Sequence, residues 1–183
     1  GPTLSVAGHE GLHQFFYHRL THRIPMWAEE GLCTVVEGFS TFDGRVTFTP
    51  NRNVSRYTDL RNSIVQNYWM ELDEILPMSS RQAVQLVGRR SVGYYGQLWS
   101  LILYIRSVPE YRDGFERMML DAEAGRFDVP LGMPADALED FTQRPGLFNT
   151  RFAATLFQYY ITDDLDTFDR EWKDFARELV DLR

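Results

Sequence analysis

Cysteine is almost absent. The chain has one, Cys33, so no internal disulfide can form and a cysteine-rich zinc site is excluded with it. Positive charge is in deficit too: 19 Lys and Arg stand against 26 Asp and Glu, a net charge of −7. On bulk electrostatics this argues against nucleic acid or an anionic membrane as partner, a local basic patch aside. No apolar run reaches 18 residues, so no membrane span is expected. No secretory leader is expected within these residues, and neither an internal repeat nor a low-complexity tract appears in them. What is plentiful is core material: 44% of the 183 residues are apolar and 14% aromatic, enough for one packed domain over residues 1–183 without cross-links, and compartment stays open.

Against that background one short stretch carries chemistry. Residues 9 to 13 read His9-Glu10-Gly11-Leu12-His13, an H-E-x-x-H pattern. On a helix, side chains four apart lie one above the other, so both imidazoles can grip one metal ion. Glu10 follows His9 by about 100° of rotation. It therefore stands beside such an ion without binding it, where it can take a proton from a water polarised by the metal.

A catalytic zinc usually has three protein ligands and one open position. The third is expected downstream, in Pro25-Met26-Trp27-Ala28-Glu29-Glu30-Gly31, because proline suits a helix start and either glutamate would lie near it. Glu30 follows His13 by 17 residues, enough for one helix to end and the next to return.

HEGLHQ followed by IPMWAEEGL resembles the gluzincin metallopeptidases, whose pattern is H-E-x-x-H, a spacer, then a ligand glutamate on the next helix. The form P-x-W-x-x-E-G-L is closest to a bacterial gluzincin-like domain family of unassigned function. The resemblance implies one Zn2+ per chain on His9, His13 and Glu30, with Glu29 as the fallback. It also implies a tyrosine: Tyr95-Gly96-Gln97-Leu98-Trp99 fits the family form Y-x-Q-x-W, in which a tyrosine opening a helix points its hydroxyl at the substrate carbonyl. A phenolic donor there would stabilise the developing oxyanion. Tyr94 is the lesser candidate, and both tyrosines can also be read as packing aromatics.

The rest of the chain reads as mostly α with at most a small β-hairpin. A first helix is expected over 4–22, with the apolar surface of a buried element, and a second over 25–37. His18 and His22 form another i, i+4 pair, but His18 lies about 180° round from His9. They are expected to be solvated or capping groups at the helix end. Glu37 shares a face with Glu30 and reads as a solvated residue or as one orienting a ligand. Asp43-Gly44 signals a hairpin turn, with alternation over 45–49. Further helices are expected over 57–66, over 81–87 with Ser80 as N-cap, over the apolar 91–107, from Pro109 to Ala124 closed by Gly125, over 135–141, and from Asp163–Asp166 to the end. Residues 69–75 are ambiguous between helix and other structure. Residues 128–133 read as a loop, and the aromatic 147–161 as core and groove wall.

In the gluzincins a small β-sheet precedes the motif helix. Here the motif begins at residue 9, so the resemblance implies the helical part of a zincin-like catalytic domain, a fragment with the upstream sheet missing. The expected activity is zinc-dependent hydrolysis of peptide bonds, with a peptide or protein as substrate. The alternatives are a non-catalytic zinc-binding domain and a degenerate peptidase-like interaction module.

Overall fold

The computed structural model describes residues 2–86 and 88–182, and among them it is mostly helical, with a single two-stranded sheet. The motif helix α1 spans Pro2–Arg19 and carries His18 and Arg19 in its last turn, where positive charge is favoured. It stops short of the expected residue 22. The backbone N–H of His22 leaves the helix to bond the Ala122 carbonyl at 2.9 Å, which turns the chain away. Nor is α1 a buried helix. Phe16 is buried and Leu12 and Leu20 partly so, whereas Val6, Phe15 and Tyr17 are exposed. Its apolar residues occur all round the helix and form no single stripe, so they supply apolar surface without a second face to bury.

Helix α2 spans Met26–Val36, with Pro25 immediately before it in an extended conformation and Glu37 at its C-terminal cap. The first helical N–H, that of Met26, is an orphan donor by construction. Asn149 satisfies it from across the molecule, with Oδ1 at 2.7 Å, while its Nδ2 donates to the Met78 carbonyl at 2.9 Å. Trp27 packs, as read from the sequence, with Phe115 and Phe157 at ring-centroid distances of 6.0 and 5.2 Å.

The hairpin follows. Strand β1 (Phe39–Phe42) pairs antiparallel with β2 (Arg45–Phe48), and the turn residues Asp43 and Gly44 take φ of 49° and 72°, the left-handed pair that a two-residue hairpin turn requires. A short 3-10 turn (Pro50–Arg52) leads into α3 (Val54–Val65), whose N-cap Asn53 accepts from the Arg56 N–H. Two short helices come next: α4 (Leu72–Ile75), resolving the ambiguous stretch, and α5 (Ser80–Gln85). The cap of α5 is Ser79, not Ser80, because Gln82 three residues on closes a reciprocal capping box with it. The expected end of that helix, Val87, lies outside the described residues.

Helix α6 (Arg89–Ser107) is the centre of the core: Leu98, Trp99, Leu101, Ile102 and Ile105 are fully buried, and α2, α3, α7 and α11 all pack on it. Two glycines allow this. A Cβ on Gly31 would meet Ile102 Cγ1 at 2.5 Å, and one on Gly96 would meet the Leu60 backbone nitrogen at 2.6 Å. Close approach of α2 and α3 to α6 thus fixes Glu30 and Arg56 relative to Tyr95.

Helix α7 (Pro109–Ala124) ends at Gly125 with φ 69°, as its sequence indicates. The expected loop at 128–133 contains one helical turn, α8 (Asp128–Leu131), closed by a left-handed Gly132. Then come α9 (Ala135–Thr142), α10 (Pro145–Tyr160) and α11 (Leu165–Leu179). The side chain of Asp164 caps α11 by accepting from the Thr167 N–H, and Phe168, Trp172 and Ala176 are its buried residues.

Candidate metal centre

Three side chains from α1 and α2 converge. His9 Nε2 and His13 Nε2 are 3.3 Å apart, and Glu30 Oε2 stands 3.5 Å from the first and 3.7 Å from the second. A tetrahedral centre with metal–ligand bonds of about 2.0–2.2 Å separates its ligand atoms by about 3.3–3.6 Å. The three atoms therefore fit around one ion. Glu29, the fallback, is not in this triangle. Its Oε1 lies 2.8 Å from His13 Nδ1, on the far side of the ring.

Glu37 does the same for His9, with Oε1 2.8 Å from Nδ1. Each imidazole thus gives its Nδ1–H to a carboxylate and keeps Nε2 for the centre of the triangle, the arrangement that fixes tautomer and ring orientation in metal sites. The solvated-face reading of Glu37 is corrected here, since its side chain is 11% exposed. Arg56 Nε donates to Oε2 at 2.8 Å, Arg56 Nη2 to Oε1 at 2.9 Å, and Asn53 Nδ2 to Oε2 at 3.1 Å. These partners arrive on α3 after the hairpin, beyond the reach of local pattern.

The electrostatics agree with a cation site. Glu30 and Glu37 hydrogen-bond the His9 ring and push its pKa up to about 9 against the opposing effect of burial. Contacts with the Cys33 sulfur, Glu29 and Glu30 push His13 up as well. Burial alone would raise the Glu30 carboxyl, but hydrogen bonds from His13 and His9 hold it down at about 2. Yet two imidazolium N–H groups cannot face each other at 3.3 Å without repulsion. One divalent ion in place of two protons would relieve that conflict and keep every carboxylate paired.

A fourth protein atom lies nearby. Cys33, one turn beyond Glu30 and fully buried, has its Sγ within 4.8 Å of ligating nitrogens of both histidines. Sequence reading passed over it, because a lone thiol makes no cysteine cluster; its signal was the i, i+3 spacing from Glu30. Glu30 Oε2, at 3.5 and 3.7 Å from the two ring nitrogens, and Cys33 Sγ are thus both candidates for the third ligand.

On the solvent side a groove of about 260 Å³ is bordered by His9, Glu10, Arg56 and Tyr95. Glu10 is exposed on α1 and Tyr95 half-buried on α6, so both expected catalytic residues reach the groove. Tyr95 lies inside α6 and does not open it, since that helix starts six residues earlier at Arg89. The Arg56 guanidinium sits 5.3 Å from its ring centroid. Tyr94 is fully buried, and its hydroxyl has no hydrogen-bond partner among the described residues. Burial first, then the Glu30 charge, raises the pKa of both phenols.

The second histidine pair separates. His18 is exposed, as expected. His22 is not: it is buried beyond the helix end, its Nδ1 accepts from the Phe127 N–H at 3.3 Å, and burial lowers its pKa, so it serves as a neutral core acceptor.

No family model matches the chain, and neither a curated protein nor a solved structure matches it.

Proposed function

We propose that this chain is a gluzincin-type zinc peptidase domain, holding one Zn2+ through His9 Nε2, His13 Nε2 and Glu30 Oε2. The observation that carries the reading is the triangle of 3.3, 3.5 and 3.7 Å between those atoms, with a carboxylate behind each imidazole. A zinc ion held by such a set would supply Lewis acidity and make water easier to deprotonate near neutral pH. Glu10, exposed at the groove and without an ion pair among the described residues, receives the proton of the attacking water on its carboxylate and returns it to the leaving amine. Tyr95 donates its hydroxyl to the substrate carbonyl oxygen as negative charge develops there. Arg56 holds Glu37, and through it His9, in one orientation, and its stacking on Tyr95 ties that ring to the same frame.

The test is Glu10→Gln, with peptide cleavage and zinc content both measured. Cleavage falls by about 10²–10⁴ while zinc is retained; a variant that cleaves as fast as the parent refutes the mechanism.

Cys33 favours a second reading. The ligating atoms of His9, His13 and Cys33 lie within 4.8 Å of one another, and with Glu30 added such a set would give zinc four protein ligands and leave no position for water, the mark of a structural site. A stoichiometrically loaded protein that digests no member of a broad peptide library would favour this reading.

A further inference from the structure

Beside the proposed metal centre lies a second, larger cavity, of about 430 Å³, that shares His13 with it and is also bordered by Glu29, which stands behind that ring. Its remaining wall includes Gln14 and Tyr17 of α1, Gln143 after α9, and Arg23 in the connection between α1 and α2. Arg23 is half-buried between the buried His22 and Ile24. It makes no hydrogen bond and no ion pair with any described residue. Arg56, the guanidinium on the other side of the centre, shows the usual outcome: two bonds to Glu37 and one to Asp59. Part of the Arg23 side chain has lost its water, and polar groups that lose water generally gain a partner. Among the described residues the only carboxylate bordering this cavity, Glu29, already accepts from His13 at 2.8 Å.

We infer that Arg23 is the anchor of a carboxylate subsite next to the metal centre, so that this site selects peptides carrying a carboxylate close to the bond held at His13. The inference rests on the peptidase reading. The planar fork of N–H donors matches a carboxylate in two parallel bonds. A cavity of about 430 Å³ is large enough for an amino-acid residue. The carboxylate has two possible sources with one chemistry: the C-terminal α-carboxylate of the peptide, or an Asp or Glu side chain.

The experiment uses the zinc-loaded Glu10→Gln protein, so that binding is read without turnover, and N-acetylated octapeptides in matched pairs. One set compares the C-terminal acid with its amide; the other compares Glu with Gln at each position in turn. One carboxylate is expected to tighten binding by at least about tenfold, the scale of a charge-assisted bond. Adding Arg23→Gln abolishes that preference and leaves the neutral peptides unchanged, while Arg23→Lys, which keeps the charge without the fork, retains part of it. Loss confined to the amide identifies the α-carboxylate; loss confined to one Glu position identifies a side chain. Equal binding of acid and neutral members, a preference that survives Arg23→Gln, or no peptide binding at all overturns the subsite. A parallel digest with Glu10 intact separates the two claims. Arg23-dependent binding without cleavage keeps the subsite and sinks the hydrolase. Cleavage indifferent to carboxylates and to Arg23 does the reverse.

Discussion

The two helices that meet at the centre are held in opposite ways. Helix α2 is buried along nearly its whole length, clamped by Asn149 at its first N–H and pressed on α6 through Gly31. Among the described residues helix α1 has one buried side chain, Phe16, and much of its contact with α2 is polar: Ser5 to the Glu37 carbonyl, His9 to Glu37, His13 to Glu29. One proposed ligand therefore comes from a rigid floor and two from a helix whose seating depends on the site itself. The lesson is that an ion shared between them should do for α1 what the apolar core does for α2.

The comparison can be broken first at its polar joint. Glu37→Gln removes the negative charge behind His9 and leaves Arg56 facing a neutral amide; zinc affinity is expected to fall about 10–100-fold, measured by chelator competition. An unchanged affinity would mean that the carboxylates behind the rings are only structural. Next comes the apolar joint. Gly96→Ala drives a methyl group against the Leu60 backbone and should cost about 1–3 kcal/mol in denaturant unfolding.

pH sharpens the contrast. His9 has its pKa raised from 6.5 to about 9. Its charge therefore stabilises the metal-free fold fully below its unfolded value, and that contribution is lost as pH rises through about 9. The melting temperature of chelator-treated protein should decline across that window. Zinc affinity should climb across it, because fewer protons must be displaced. Opposite slopes are the signature; a flat zinc affinity would contradict it. The smallest effect is expected at Gly11, in the helix interior with nothing within 4 Å of its missing Cβ. Gly11→Ala should stabilise α1 by about 0.5–1 kcal/mol through helix propensity alone, with zinc binding intact.

What was legible in the sequence was local. The i, i+4 histidines, the hairpin turn at Asp43-Gly44 and the span Pro109 to Gly125 depend on residues within a turn or two of each other, and each formed where expected. Glu29 and Glu30 were both in view, but which one faces the histidines is a matter of helix rotation, which the α2–α6 contact decides. Misses came from long-range contacts. Glu37 looked like a surface residue because Asn53 and Arg56 reach it only after the hairpin reverses the chain. His22 looked solvated because Ala122 and Phe127, a hundred residues on, take it into the core. The extent to which α1 is exposed was hidden by apolar residues spread round all its faces.

X-ray absorption at the zinc edge of the loaded protein tests the central claim most directly. The expected spectrum has one zinc per chain with two imidazole nitrogens and carboxylate oxygen, no sulfur, and a ligand lost on Glu30→Ala. A sulfur neighbour from Cys33, or zinc that stays below stoichiometry, would contradict an open centre built from His9, His13 and Glu30.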